Sequence, residues 1–221
     1  LYNALGKLDA MPQCNDDVRL NILPFSHAYA RTCELTTWAI AGGTMICASN
    51  ETQMLRIADV VRPTLFNAVP RVFDKLRTFA EARSMKLSQL LGGRLRMIAS
   101  GGAGLSDDTF QAFLAAGLPI HQGYGMTECS PVVCSNRFGE VQFNTVGPPI
   151  RGVELRFSVD QQLQVRGSGV MLGYWNNHQA TQTVIQDGWL QTGDLAEQLP
   201  NGHYRLLGRA DDQLTLSNGF K

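Results

Sequence analysis

The chain has 221 residues, 44% hydrophobic and 17% charged, which is enough apolar material for a sizeable core and does not fit a disordered chain. Lys plus Arg number 19 and Asp plus Glu number 19, and a balance of zero argues against a dedicated nucleic-acid binder, which normally carries a basic face. Five scattered cysteines with no CxxC pair (Cys14, Cys33, Cys47, Cys129 and Cys134) argue against a disulfide scaffold or zinc knuckle and fit a reducing, cytoplasmic setting.

Along the first half, helical and strand patterns alternate. The apolar spacing from Ala30 to Ala41 predicts a helix ended by Gly42-Gly43, and Thr44 to Ala48 reads as a buried strand. Glu51 to Val61 is amphipathic and stops before Pro63. Thr64 to Val69 is a second strand, and Pro70 opens a helix to about Arg83. Leu95 to Ala99 is a strand, Ser106 caps a helix to about Ala116, and Leu118 to Gln122 is a further strand. Strands separated by helices of this length predict βαβ units and a parallel sheet. The charge-free stretch from Leu35 to Asn50 spans 16 residues and includes Thr and Gly, so it is too short and polar for a membrane span of about 20 apolar residues. There is no signal-peptide pattern, and Leu1 in place of an initiator Met leads us to expect a piece of a longer protein.

After Phe143 the texture changes. Short strand-like runs (Val153 to Val159, Leu163 to Arg166, Tyr204 to Leu207, Gln213 to Leu216) lie between turn signals such as Asp187-Gly188 and Asn201-Gly202. The expected fold is α/β: a parallel-sheet subdomain over 1–143, a small, mostly antiparallel β subdomain over 144–207, and a hinge segment over 208–221.

Chemistry concentrates in a few segments. Gln122-Gly123-Tyr124-Gly125-Met126-Thr127-Glu128 follows a predicted strand and would lie at a sheet's carboxyl edge, where open α/β folds bind ligands. Its glycines would let backbone approach a flat ligand, Tyr124 could stack on it, and Thr127 and Glu128 offer a hydroxyl for phosphate beside a hard oxygen ligand for magnesium. Read alone, the heptad could also be a glycine-rich turn with a solvated Glu. Ser100 to Ser106, with Gly102 and Ala103, makes another strand-to-helix connection. Trp189 to Asp194 puts a carboxylate after a turn, and Gly208-Arg209-Ala210-Asp211 follows; alone, Asp194 could be a turn former and Arg209 a surface charge. His121 reads as structural, and His178 and His203 as residues of polar turns without a role.

In this order, these segments resemble the adenylate-forming superfamily of acyl- and aryl-CoA ligases, luciferases and peptide-synthetase adenylation domains, over nearly the whole chain. Leu23 to His27 looks like the segment beside the family's acyl pocket, Gly123 to Glu128 like its Thr-Glu motif, Val170 to Trp175 like "GYW", Thr192 to Asp194 like "TGD", and Gly208 to Asp211 like "GRxD". The resemblance implies a two-step ligase: a carboxylate attacks the α-phosphate of ATP to give acyl-AMP and pyrophosphate, and a thiol, usually coenzyme A, takes the acyl group. It implies Tyr124 against adenine with Gly102, Ala103, Gln122, Gly123 and Gly125 around it, and Thr127 on the α-phosphate. It further implies Glu128 on Mg2+, Asp194 with Arg209 at the ribose, His27 at the acyl pocket and Asp211 as the domain pivot. His27 could equally just complete packing at its turn.

By the same resemblance, a phosphate loop with its lysine would precede Leu1 and a lysine-bearing C-terminal domain would follow the hinge, so the isolated chain is expected to be inactive. Asn67 to Leu76 is similar to the "VPRVFEKI" stretch of long-chain fatty acyl-CoA synthetases. No basic residue stands out as a partner for a second substrate charge, which suits a fatty acid. The connection from Arg83 to Gly93 is short for that subgroup, marking a compact branch or a deletion. The expected partners are a fatty acid, ATP and coenzyme A, with peripheral membrane contact compatible. The alternatives are an aryl-CoA ligase, a fatty acyl-AMP ligase loading a carrier protein, and a non-catalytic nucleotide-binding module.

Overall fold

A computed structural model describes residues 1–210; Asp211, the expected pivot, and the strand expected over Gln213 to Leu216 lie outside the described residues. In chain order the first half runs α1 (Tyr2–Ala10), β1 (Val18–Asn21), α2 (Ala28–Ala30), a π-helical stretch (Arg31–Thr36), α3 (Thr37–Ala41), β2 (Thr44–Cys47), α4 (Glu51–Val61), β3 (Leu65–Ala68), α5 (Pro70–Ala82), β4 (Met97–Ser100), α6 (Asp107–Ala115), β5 (Ile120–Gly125) and β6 (Val132–Ser135). These strands form a six-stranded sheet in the order β2-β1-β3-β4-β5-β6. Neighbours are parallel from β2 to β5, and β6 is antiparallel to β5.

The sheet is parallel because helical crossovers separate its strands, and β3 and β4 are buried along their whole length, as a sheet covered on both faces requires. The main core packs Phe66 of β3 edge-on against Phe73 of α5 at 5.8 Å, and Phe73 against Phe113 of α6 at 5.4 Å. Truncating such a ring costs about 3–5 kcal/mol.

Three local expectations are corrected. β2 is an edge strand with exposed ends, not a buried one. β1, which the pattern gave no reason to mark, is the strand between β2 and β3. Its polar alternates are absorbed internally. Arg19 is 2% exposed and pairs with Glu34 at 2.7 Å, and the Asn21 side chain satisfies both backbone groups of Leu23. The strand expected over Leu118 to Gln122 starts and ends later, so Gly123 to Gly125 lie within β5 rather than beyond it.

The second half contains β7 (Val153–Phe157), β8 (Gln162–Gly167), α7 (His178–Val184), β9 (Ile185–Gln186), β10 (Trp189–Gln198) and β11 (Tyr204–Arg209). A five-stranded antiparallel sheet orders them β11-β10-β8-β7, with β9 against β10. Its core joins Leu163, Val165, Leu190 and Tyr204 to Cys129, Val133 and Cys134, so β6 and the turn before it pack against the second sheet. The chain thus has the expected α/β sheet plus a separate antiparallel sheet. No helix among the described residues is long and apolar enough to cross a membrane.

Candidate functional site

The hairpin of β5 and β6 carries the Thr-Glu segment, and its geometry follows from its glycines. A Cβ on Gly125 would stand 1.9 Å from the Pro131 carbonyl oxygen, and one on Gly123 would stand 3.1 Å from that of Cys134. The glycines therefore admit the partner strand, a different use from the close ligand approach expected of them. Beyond Gly125 the chain turns through a short 3-10 helix, Thr127–Cys129, with Thr127 exposed.

Two contacts fix that turn. Asn3 of α1 donates through Nδ2 to the carbonyls of Val132 (2.7 Å) and Cys129 (3.2 Å) and accepts from the Val132 N–H at 3.1 Å. From the other side, the Met171 N–H donates to the Glu128 carbonyl at 2.7 Å, and the Tyr174 hydroxyl donates to Glu128 Oε1 at 2.8 Å. The Val170 to Trp175 segment thus holds the carboxylate. Asn3 is a positioning residue that sequence reasoning missed, because nothing local to it signals a contact more than 120 residues away in the chain.

A cleft of about 350 Å³ opens in front of the hairpin. It brings together His27, Gly102, Gly123, Tyr124, Gly125 and Thr127 of the expected residues, and adds Lys7, Tyr29, Ser100, Pro131 and Val132. His27 is exposed and stands at the N-terminal boundary of α2, accepting the Arg31 N–H through its carbonyl. Tyr29 packs where a Cβ on Gly101 would come within 3.3 Å of its ring, so that glycine makes room for the tyrosine. Burial pushes the Tyr29 phenol up and the Cys33 thiol to about 12, so neither ionises at neutral pH.

Ala103, Gln122, Glu128, Asp194 and Arg209 lie outside the cleft wall. Ala103 is exposed beside Gly102, while the Gln122 carbonyl is taken by Asn136 at the far side of the hairpin. Asp194 lies in the middle of the ten-residue β10, not after a turn as its neighbours suggested. The backbone bulges there. Gly193 adopts φ +72°, and pairing with β8 slips between Gln191 and Leu195.

That bulge aims Asp194 at the first sheet. Its Oδ2 accepts the Tyr124 hydroxyl, and its Oδ1 accepts Arg209 Nη1 at 3.1 Å from the directly opposed position on β11. Arg209 also donates to the Thr192 carbonyl at 3.0 Å, and the Asp194 N–H donates to Thr192 Oγ1. Burial and the adjacent Asp194 carboxylate raise the Tyr124 phenol far above its ordinary value, so Tyr124 acts only as a neutral donor. Tyr124 is therefore the residue common to cleft wall and Asp194–Arg209 pair.

The histidines outside the site divide. His121 is 2% exposed, with Nδ1 2.9 Å from the Ile98 carbonyl, and burial lowers its pKa, as a structural role requires. His203, expected in a polar turn, is instead 8% exposed with its ring 3.1 Å from Thr145 Oγ1. His178 opens α7.

The profile of the family described as "AMP-binding enzyme" matches residues 1–175. A long-chain-fatty-acid–CoA ligase of Mycobacterium bovis is 30% identical over 244 residues, covering 90% of this chain and 40% of its own length. That alignment is longer than the chain, so the relative carries insertions. A feruloyl-CoA synthase of Amycolatopsis is 28% identical, covering 96% of this chain and 45% of that protein. Among solved structures, ATP-bound MatB of Rhodopseudomonas palustris superposes with a TM-score of 0.87 at 27% identity, covering 99% of this chain and 45% of that one. The chain thus spans about 40% of the length of the first curated relatives it matches. With the fold, the cleft and the profile in agreement, the chain belongs to the AMP-binding, adenylate-forming enzyme family.

Proposed function

We propose that the protein, at its full encoded length, is an acid–thiol ligase that activates a fatty acid with ATP and passes it to coenzyme A. The observation that carries this reading is the Tyr124 bridge. One residue lines the cleft and also binds the Asp194–Arg209 pair, so a nucleotide held at the pair would lie beside the same cleft. In the first step a substrate carboxylate oxygen bonds to the α-phosphorus of ATP as the bond to pyrophosphate breaks. In the second, the thiolate sulfur of coenzyme A bonds to the acyl carbon and AMP leaves. Such chemistry depends on alignment and charge stabilisation more than on covalent help from the protein.

On this reading Thr127 donates to the α-phosphate, Asp194 accepts the ribose hydroxyls beside Arg209, and Gly102, Ala103, Gln122 and Gly123 frame the adenine against Tyr124. His27 stands at the entrance used by acid and thiol. A magnesium ion would supply charge neutralisation on the phosphates. Glu128 fits as its ligand: one carboxylate oxygen is oriented by Tyr174, the other accepts from no side chain among the described residues, and Mg2+ commonly needs only one or two carboxylates besides phosphate. Residues 1–143 would then carry the acid and adenine sites, 144–207 the β-rich subdomain, and 208–221 the hinge with Asp211 as pivot. Without a phosphate-loop lysine and a C-terminal lysine, residues 1–221 alone would not turn over.

Fatty acid as the substrate class rests on the relatives named above. An aryl acid is the second reading, favoured by the Tyr29 ring in a modest cleft and by the feruloyl-CoA synthase relative. The test is Mg2+-dependent ATP–pyrophosphate exchange by the full-length protein with laurate, palmitate and ferulate. Exchange dependent on a fatty acid supports the proposal, and exchange with ferulate alone selects the aryl reading. No exchange with any of these acids or with dicarboxylic acids of similar length sinks both.

A further inference from the structure

The cleft lining includes two polar side chains that the reading above leaves unused. Lys7 reaches it from α1 and Ser100 from the end of β4. They are 4% and 3% exposed. The Ser100 hydroxyl finds no hydrogen-bond partner among the described residues. The Lys7 ammonium donates to Met11 Sδ at 2.7 Å and to Ser135 Oγ at 2.8 Å. A thioether is a weak acceptor and the serine is neutral, so neither partner supplies an anion, and an ammonium has three N–H bonds to place.

The surrounding charges sharpen the imbalance. Arg19 and Glu34, both almost fully buried, are already bonded to each other at 2.7 Å. With Lys7 the buried group therefore counts two cations against one carboxylate, and burial without an anionic partner depresses the Lys7 pKa. Buried charge without a counter-charge and a buried hydroxyl without a partner are both costly, and the two line the same cleft. Lys7 is a basic residue in the cleft wall that did not stand out in the sequence as a partner for a second substrate charge.

We infer that the cleft selects a fatty acid bearing a second carboxylate, received by Lys7 and Ser100. The inference rests on reading the cleft as the acid site. A plain alkyl tail would leave the ammonium desolvated without a counter-charge and the hydroxyl without a partner. A dicarboxylic acid gives the ammonium its anion and the hydroxyl its acceptor, and charge-assisted hydrogen bonds of that kind are the strong ones. Lys7 and Ser100 are specificity residues on this account, with no part in the bond-making steps.

The experiment compares adipate with hexanoate, and dodecanedioate with laurate, on the full-length protein. Binding is read by calorimetry in the presence of AMP, and turnover by pyrophosphate exchange. At least one dicarboxylate should bind tenfold or more tightly than its monocarboxylate of equal length. Lys7→Met should erase that preference, Lys7→Arg should restore part of it, and Ser100→Ala should reduce it several-fold. Equal or tighter binding of both monocarboxylates by the wild type overturns the inference. So does an unchanged preference in a folded Lys7→Met protein, or in Ser100→Ala should the lysine variant not fold. A dicarboxylate preference in binding without any exchange refutes the ligase reading and supports this one; exchange with monocarboxylates only refutes this one alone.

Discussion

The Tyr124–Asp194 contact gives the sharpest separation between a binding role and a structural one. Asp194 is 16% exposed at its side chain and serves two donors, Tyr124 on one oxygen and Arg209 on the other. Removing it with Asp194→Ala leaves the Tyr124 hydroxyl without its acceptor, while Arg209 keeps the Thr192 carbonyl. Stability should fall by about 1–3 kcal/mol, the cost of stranding a partly buried donor. If Asp194 also accepts ribose hydroxyls, ATP affinity falls separately. Hydrogen bonds to a charged group contribute about 1.5–3 kcal/mol, hence roughly tenfold or more in Kd. Tyr124→Phe supplies the contrast, since it keeps the ring and removes only the hydroxyl. It should cost about 1 kcal/mol of stability and leave ATP affinity within a few-fold of wild type, because an Asp194 oxygen is released for the ligand. Denaturant titration gives the first quantity and calorimetry with ATP the second, both on the full-length protein. Should Asp194→Ala bind ATP like wild type while losing stability, the carboxylate is only a tie between the two sheets and the ribose assignment is wrong.

Three other outcomes are expected. Glu128→Gln should abolish pyrophosphate exchange while moving the melting temperature little, since its only side-chain bond among the described residues is to the partly exposed Tyr174; exchange near the wild-type rate would refute the magnesium role. Burial alone would raise the pKa of Asp17, but Arg96, the Cys14 N–H and the Thr64 hydroxyl outweigh it and hold the carboxyl at about 2, against 3.8 ordinarily. Its stabilisation is therefore complete above about pH 5 and fades as pH falls towards 2, by roughly 2 kcal/mol, and Asp17→Asn should flatten that part of the pH–stability curve measured in urea. Glu34→Leu leaves Arg19, 2% exposed, without its counter-charge inside the sheet layer and should cost about 3–5 kcal/mol, whereas Arg19→Met with Glu34→Leu should recover much of it; a double variant whose loss equals the sum of the two single losses would show that the pair is not coupled.

Much of the fold was legible because its signals are local. Asn50 caps α4 through a bond to the Gln53 N–H, Pro70 starts α5, and both helices fall within one residue of the limits their sequence implies. The buried apolar runs of β3 and β4 were legible for the same reason. What escaped is what only tertiary contact decides. β1 looks half polar because Arg19 finds Glu34, 15 residues on, and no periodicity carries that pairing. Ser106 occupies the cap position of α6, yet its hydroxyl binds Asp74 on the neighbouring α5 instead of capping its own helix. The sequence marked only a turn at Asp187-Gly188 with a carboxylate after it, and no strand over Trp189 to Asp194; in three dimensions Gly193 makes a bulge inside that strand.

The site divides along the same line. A motif names residue types that chemistry needs, so Thr127, Glu128, Tyr124 and Asp194 could be picked out from order and spacing. It does not say which backbone the motif must fit. Gly125 is glycine because the Pro131 carbonyl fills the space of a side chain, whereas at Gly101 a Cβ would only crowd the Tyr29 ring. Nor does a motif reveal what stands behind it. Asn3 and Lys7 sit on α1, more than 110 residues before the hairpin they contact, in a helix whose sequence has no catalytic pattern. One of them clamps the turn that carries Glu128, and the other puts a buried cation in the cleft wall. On the reading proposed above, substrate choice would follow from Lys7, a position on the helix packed behind the shared segments that no motif names.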